Sequence, residues 1–174
     1  ALLPGCALRW SGGELRTHHY TREIEEAMAA GEVEPLLRQI VRQQMISDRP
    51  VVVFLSGGVD SSVVALLARQ EAGAGVQTLA VVFEEEQYSE REYARRVAAR
   101  IGTGHQEMLL RGAEAREQAL EAIHRMDQPT IDGVNTYVVS RAARQAGFTV
   151  ALSGLGGDEF FGGYETFRRT RLLG

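Results

Sequence analysis

The residues best suited to chemistry in this sequence stand in one run, Ser-Gly-Gly-Val-Asp-Ser-Ser at positions 56–62, which we call the first glycine loop. Gly57 and Gly58 allow the backbone to fold closely around an anion. A helix that begins inside this run would add free N–H groups and partial positive charge, and its serine hydroxyls add further donors. We interpret the first glycine loop as a phosphate cradle.

The first glycine loop differs from the common nucleotide-binding pattern GxxxxGK[ST], because it has no lysine to reach the terminal phosphates. It carries Asp60 instead. A carboxylate beside a polyphosphate is repelled unless a divalent cation lies between them, so we expect Asp60 to bind Mg²⁺ or to orient a bound water. The alternative is that Asp60 and Ser61 cap the helix while the glycines only make the turn.

A second glycine-rich run covers residues 153–164, and we call it the second glycine loop. Five glycines in 12 residues carry a high entropic cost, and such a loop usually exists because a ligand approaches its backbone. Asp158 in this loop offers a second carboxylate, so that Asp60 and Asp158 together would form a Mg²⁺ site over a polyphosphate. The alternative is a flexible surface turn with solvated acids.

Alternating strands and helices are predicted to position these loops. The uninterrupted apolar run 51–55 indicates a strand buried on both faces of a sheet. Ser89 and Glu92 form a capping box at the start of one helix. We predict strands at 51–55, 76–83, 105–110 and 148–152, and helices at 33–46, 61–71, 89–101, 114–126 and 134–146.

This alternation predicts an α/β fold with a doubly wound parallel sheet and helices on both faces. Ligands of such sheets bind beyond the carboxyl ends of the strands, where the winding reverses. Residues 1–20 show no sustained period, and we interpret them as a turn-rich lead-in rather than a domain. Cys6, the single cysteine, excludes an internal disulfide and is expected to be a small packed residue.

Composition narrows the class of protein. A chain of 174 residues that is 44% hydrophobic and 24% charged is typical of one folded domain. Its net charge of −4 provides no basic field for nucleic acid or an acidic membrane. No apolar run approaches the ~20 residues that span a bilayer, and the first ten residues lack the pattern of a signal peptide. We therefore expect a cytoplasmic protein with neither kind of partner.

The two glycine loops, SGGVDSS and LSGLGGDEFFGGY, resemble the paired signatures of the glutamine-dependent asparagine synthetase family within the PP-loop ATP pyrophosphatases. Residues 47–48, 101–105 and 127–130 extend the resemblance, which implies an adenine nucleotide alpha hydrolase-like fold. In that family ATP is cleaved to AMP and pyrophosphate, and the AMP is placed on a substrate carboxylate. Ammonia released from glutamine by a second domain then attacks the acyl-adenylate to give an amide.

The resemblance also implies ATP and Mg²⁺ as cofactors and a set of binding residues. Val81 would line the adenine pocket, and Asp60 and Asp158 would hold the metal. The implied partners are a carboxylate such as aspartate, ammonia from glutamine and a glutaminase domain, and the resemblance leaves room for a homodimer. The residues implied to bind ATP or pyrophosphate are Leu55, Ser56, Gly57, Gly58, Asp60, Ser61, Ser62, Val81, Ser153 and Gly154.

Three departures from the family pattern bear on activity. Asparagine synthetases carry a catalytic glutamate where this sequence has Leu155, so no catalytic residue is assigned and the acceptor acid stays open. The family domain continues past the FGGY segment with phosphate-binding lysines, so we interpret residues 21–174 as the N-terminal part of an ATP-binding synthetase domain whose C-terminal part is missing. Residues 1–20 resemble the tail of a missing glutaminase domain, and Cys6 does not match its nucleophile.

Three functions therefore remain open. The first is asparagine synthase activity, and the second is a related amide- or lactam-forming synthetase with a different acid. The third is a nucleotide-binding fragment without turnover, which Leu155 and the missing C-terminal part would favour.

Overall fold

The computed structural model describes residues 2–20, 30–84, 90–128, 130–164 and 166–167. Two compact units divide the chain, Ala1–Glu34 and Pro35–Gly174. Helix α1 (Ala30–Gln44) begins at the end of the first unit and covers most of the helix predicted at 33–46.

The first unit contains an antiparallel β-hairpin of β1 (Cys6–Ser11) and β2 (Glu14–His19). Its two-residue turn is Gly12-Gly13, with φ of 60° and 84°, the left-handed pair that joins twisted strands most readily. These two strands were not among those predicted, since residues 1–20 were interpreted as a turn-rich lead-in. Both strands are exposed at every position except Cys6, so they show no apolar alternation. Cys6 is buried, as expected, with its Sγ 3.3 Å from His19 Nδ1.

Strands and helices alternate in the second unit in the predicted order, and the predicted and observed ends differ by a few residues. Ser89 of the predicted capping box lies outside the described residues. In the part of the chain that the structure describes, no helix is long and apolar enough to cross a membrane. The elements after α1 are β3 (Val51–Phe54), α2 (Val59–Ala72), β4 (Gln77–Phe83), α3 (Arg91–Ile101), β5 (Gly104–Leu110), α4 (Gly112–Arg125), α5 (Ile131–Gln145), β6 (Val150–Leu152) and α6 (Gly157–Phe161).

The second unit has a parallel sheet with the order β5-β4-β3-β6. From β3 the chain runs outward through β4 to β5 and then returns to add β6 on the other side of β3. Val51 pairs with Val150 and Val53 with Leu152, so the carboxyl ends of β3 and β6 are level. The winding reverses between these two strands, and both glycine loops follow that edge.

Helices cover both faces of the sheet, which confirms the doubly wound prediction. On one face Val53 and Leu55 pack with small residues of α2 and α3, among them Ala65 and Ala94. On the other face Val52 packs in a cluster with Leu79 of β4 and with Ala142 and Ala143 of α5. Val52 and Val53 are both fully buried. A strand that is buried on both faces requires the uninterrupted apolar run seen in the sequence.

Candidate functional site

The first glycine loop lies between the end of β3 and the first turn of α2. Leu55 is buried and its N–H donates to the carbonyl of Leu79 at 2.9 Å, which continues the sheet by one residue. Gly57 then turns the chain with φ of 90°. Gly58 is the N-cap of α2 in an extended conformation, and no described side chain caps this helix end. The first-turn N–H groups of α2 therefore remain available to an anion.

The serines of the first glycine loop are bonded within the loop. The Gly58 carbonyl accepts hydrogen bonds from Ser61 Oγ at 3.2 Å and from Ser62 Oγ at 2.6 Å. Ser56 Oγ accepts from the Gly58 N–H at 3.2 Å and lies 3.1 Å from Ser61 Oγ. The alternative in which Asp60 or Ser61 caps α2 is thus wrong. The hydrogen bonds from Ser61 and Ser62 to the Gly58 carbonyl stabilise the conformation of the loop. Because each hydroxyl has only one proton, each serine must rotate before it can donate to a phosphate.

The second glycine loop lies directly against the first turn of α2. A methyl carbon placed on Gly154 would be 2.9 Å from the backbone nitrogen of Ser61, and one on Gly157 would be 2.5 Å from Asp60 Cγ. These approaches confirm that the loops after β3 and β6 are neighbours. Inside the second loop, the Leu155 N–H donates to Ser153 Oγ at 3.2 Å, and the Leu155 side chain is 77% exposed.

Carboxylates gather where the two loops meet. Asp60 in α2 and Asp158 in α6 are both half-buried, and Gly157, the residue before Asp158, contacts Asp60. The next residue, Glu159, accepts a hydrogen bond from the Tyr164 hydroxyl at 2.7 Å. The short helix α6 that carries Asp158 and Glu159 was not predicted, because glycines surround it.

The pKa of Tyr164 indicates that this region is negatively charged. Its hydrogen bond to Glu159, together with burial and the charges of Glu159, Asp158 and Asp132, raises the pKa of Tyr164 to about 12. The same hydrogen bond lowers the pKa of Glu159. No group of three or more His, Cys, Asp or Glu side chains is placed to hold a metal among the described residues. A cation here would therefore combine carboxylate oxygens from this chain with oxygens of a bound ligand.

A cavity of about 330 Å³ opens beside the first glycine loop. Its walls are mostly apolar, with Leu55 and Val81 on the sheet side and Val134 and Val138 on α5, while Ser56 belongs to both cavity and loop. The volume is within the range of small-molecule pockets. The cavity brings together Leu55, Ser56 and Val81 of the predicted nucleotide set, whereas Ser153 and Gly154 are not among its lining residues.

The α5 wall of this cavity was missed from the sequence. Val134, Asn135, Val138 and Val139 line it, and their spacing of one and four residues marks one face of a helix. That periodicity identifies a buried face, but it does not say which strand the face covers. Arg91 at the start of α3 also lines the cavity and was not predicted.

Among known protein families, the family model for asparagine synthase matches residues 32–174 of this chain. The chain belongs to the asparagine synthase family. It is 34% identical over 153 residues to asparagine synthetase [glutamine-hydrolyzing] 1 of Bacillus subtilis, covering 87% of this chain and 24% of that protein. It is 28% identical over 195 residues to asparagine synthetase B of Escherichia coli, covering 95% of this chain and 34% of that protein.

The chain spans about a quarter of the length of the first of these asparagine synthetases, 24% in the Bacillus subtilis protein. Among solved structures it resembles the NH3-dependent NAD synthetase of Campylobacter jejuni, with a TM-score of 0.49, 18% identity and coverage of 72% of this chain and 56% of that one. The NMN synthetase of Francisella tularensis gives a TM-score of 0.47, 20% identity and coverage of 68% and 52%. At TM-scores this low, neither resemblance bears on function.

Proposed function

We propose that this chain is the ATP-binding part of an enzyme that adenylates a carboxylate and converts it into an amide, as glutamine-hydrolysing asparagine synthase does. One observation carries the proposal. An uncapped helix N-terminus at Gly58, an apolar cavity that shares Ser56 with it, and the carboxylates of Asp60 and Asp158 all occur where the sheet reverses. Membership of the asparagine synthase family supports the same reaction.

In this proposal the nucleobase occupies the cavity against Val81, and the phosphates lie over the first glycine loop. The first-turn N–H groups of α2 bind phosphate oxygens, while the apolar walls keep water from the nucleobase. Ser153 and Gly154 lie against the nucleotide from the second loop. The residues between Leu55 and Ser62 to which we assign these roles are the same ones that were predicted from the sequence.

Asp60 and Asp158 fit a magnesium ion, since carboxylate and phosphate oxygens are its preferred ligands and this region is negative. Magnesium, when bound, would neutralise the pyrophosphate and improve it as a leaving group. The chain's own residues then hold the α-phosphate in reach of the acceptor carboxylate and shield the site from water.

We propose aspartate as the acceptor, with ammonia delivered from glutamine by a glutaminase domain, in a cytoplasmic homodimer. A second candidate is amidation of a different acid. It is favoured by Leu155, which exposes an apolar side chain in the second loop, and by Asp132, Asp158 and Glu159, whose charges repel a dicarboxylate.

Exchange of labelled pyrophosphate into ATP by the full-length protein tests both candidates. We expect exchange to require Mg²⁺ and one acid from a panel that includes aspartate, glutamate and carboxylates with larger apolar parts. Asp60→Asn should reduce exchange by more than about 100-fold, beyond the effect of losing an indirect metal partner. The control Glu92→Gln removes an exposed carboxylate of α3 that is paired with Arg96, and should leave exchange unchanged. Exchange by Asp60→Asn at the wild-type rate would contradict the proposal.

A further inference from the structure

Each of the two carboxylates in the proposed site lies against a glycine of the second loop. A methyl carbon on Gly157 would be 2.5 Å from Cγ and 2.8 Å from Oδ2 of Asp60. A methyl carbon on Gly163 would overlap Oδ1 of Asp158 and lie 2.9 Å from its Cγ. Both positions therefore leave a space that a carboxylate fills.

Backbone conformation does not explain these two glycines. The second loop contains the pairs Gly156-Gly157 and Gly162-Gly163. Only the first glycine of each pair has a positive φ, 101° at Gly156 and 68° at Gly162. An alanine could adopt the backbone at the second glycine of each pair, and it would ordinarily be favoured there because it restricts the unfolded chain. What an alanine would meet is the carboxylate.

The atoms that a methyl group would meet also distinguish these positions from Gly154. At Gly154 the nearest atoms are the backbone nitrogen of Ser61 and the backbone carbon of Asp60, which cannot move without the helix. At Gly157 they are side-chain atoms of Asp60, and at Gly163 the nearest are the carboxylate atoms of Asp158. The carboxylates can rotate aside, whereas Asp60 Cβ, 2.9 Å from the methyl carbon on Gly157, and Asp158 Cα, 3.3 Å from the one on Gly163, do not move with that rotation. A methyl group at either glycine would therefore displace the carboxylate and also require a small local shift of the backbone.

Further contacts fix the position of Gly163, against which the Asp158 carboxylate lies. After the left-handed Gly162, the Gly163 N–H donates to the Asp158 carbonyl at 3.0 Å, so the chain folds back along α6. The Tyr164 hydroxyl then donates to Glu159 at 2.7 Å. The backbone of Gly163 is thus fixed against the residue whose carboxylate it accommodates.

We propose that Gly157 and Gly163 are positioning residues that set the orientation of the Asp60 and Asp158 carboxylates toward a divalent cation. This inference rests on the proposed function, because that function supplies the cation and the nucleotide. Each glycine acts through one carboxylate, Gly157 through Asp60 and Gly163 through Asp158. The effect of each substitution should therefore depend on its own aspartate and not on the other.

The test uses the full-length protein with Mn²⁺ as the probe, titrated by electron paramagnetic resonance in the presence of a non-hydrolysable ATP analogue. Gly157→Ala and Gly163→Ala should each weaken Mn²⁺ binding by about tenfold, the scale of losing a group that orients a metal ligand. Gly75→Ala is the control, since a methyl group there meets nothing within 4 Å. Its Mn²⁺ affinity should equal that of the wild type.

Double variants show which aspartate carries the effect of each glycine substitution on Mn²⁺ binding. Gly157→Ala should weaken Mn²⁺ binding no further in an Asp60→Asn background, yet should keep its effect in an Asp158→Asn background. Gly163→Ala should show the reverse. Melting temperatures of the metal-free variants provide a second measurement. Any loss caused by Gly157→Ala should shrink, though not vanish, when Asp60→Ala removes the carboxylate that the methyl group meets, because Asp60 Cβ remains. Asp158→Ala should have the same effect on Gly163→Ala.

Four results would overturn the inference. Wild-type Mn²⁺ affinity in both glycine variants would do so, as would equal effects of each glycine substitution in both asparagine backgrounds. A loss of melting temperature that does not shrink after the partner carboxylate is removed would assign the glycine to the fold alone. A wild-type protein that binds no Mn²⁺ with the nucleotide would overturn the proposed function itself, and this inference with it.

Discussion

Gly57 lies against Tyr93, so that a methyl carbon on Gly57 would be 2.6 Å from Tyr93 Cβ and 2.7 Å from the backbone nitrogen of Ala94. The start of α3 is therefore packed directly onto the first glycine loop. This contact involves backbone atoms of a helix, and Gly57 also has a φ of 90°. Both the space and the backbone conformation at this position require glycine.

We expect Gly57→Ala to lower the free energy of unfolding by at least about 2 kcal/mol, which combines overpacking with left-handed backbone strain. Urea unfolding of the full-length protein measures this loss. Gly75→Ala is the matched control because it meets no atoms and has no positive φ. A loss in Gly57→Ala no larger than in Gly75→Ala would contradict the close packing of α3 on the loop.

The two faces of the sheet should contribute similarly to stability. Val52 and Val53 point to opposite faces and are both fully buried, so Val52→Ala and Val53→Ala should each cost about 2 kcal/mol in unfolding free energy. Val59 is 78% exposed, and Val59→Ala should change the free energy of unfolding by less than about 0.5 kcal/mol. Denaturant titration of the three variants checks this, and a small loss at only one of the buried positions would indicate a sheet covered on one face.

The cavity beside Val81 should control nucleotide affinity. Val138 lines the cavity from α5, and Val138→Phe would fill part of its space. We expect the dissociation constant for ATP to rise by roughly tenfold, or about 1.4 kcal/mol. Thr136→Phe places the same side chain on an exposed position of α5 outside the cavity and should leave affinity unchanged. Equal affinities of both variants, measured with a fluorescent ATP analogue, would exclude this cavity as the nucleobase pocket.

The free energy of unfolding should decrease as the pH is lowered, over a pH range set by the pKa of His105. Burial, the largest cause, lowers the pKa of His105 below its usual 6.5; Glu107 raises it and Arg95 lowers it. The unfolded chain therefore takes up a proton near pH 6.5 while the folded chain does not. The contribution of His105 is complete above pH 6.5 and is lost as pH falls through the folded pKa.

Glu107 should extend this loss to lower pH. Burial raises its pKa, but hydrogen bonds from Arg95 and Arg91 lower it, and the result is a pKa below 4.5. Its contribution is present above pH 4.5 and is lost below that value. Unfolding free energies between pH 8 and pH 3 should fall in both windows for the wild type. In Glu107→Gln the fall in the lower window should be smaller but should not vanish, because the pKa values of Glu71, Glu121 and Glu159 are also lowered in the folded chain. A pH-independent free energy between 8 and 5 would contradict the assignment to His105.

Residues 1–174 alone should bind ATP weakly. ATP carries about four negative charges and Asp60 and Asp158 add two, whereas each Mg²⁺ returns only two. All 19 basic residues of the chain are arginines, and neither glycine loop contains one. Calorimetry with Mg²⁺ and ATP should give a lower affinity for this chain than for the full-length protein. Equal affinities would show that arginines within residues 1–174 compensate the charge.

The sequence predicted the fold of the second unit because burial leaves long apolar runs, as in 51–55, and regular helical spacing. It failed for the β1–β2 hairpin, where Cys6 is the single buried strand residue and only Gly12-Gly13 marked the turn. The two glycine loops were found, and the Mg²⁺ site predicted for Asp60 and Asp158 required them to be neighbours. The separate roles of Gly157 and Gly163 could not be found, since each depends on where a carboxylate lies in three dimensions.

The pairing of Val53 with Leu152 has a consequence for synthesis of the chain on the ribosome. These residues are about a hundred positions apart, so β3 can pair with β4 long before β6 exists. At roughly 5–20 residues per second, the wait lasts on the order of 5–20 seconds. Throughout it, one edge of β3 is open to pairing with another chain, a hazard for aggregation. Nucleotide bound as we propose could not relieve that hazard, because the second glycine loop follows β6 and is made only when β6 closes the edge.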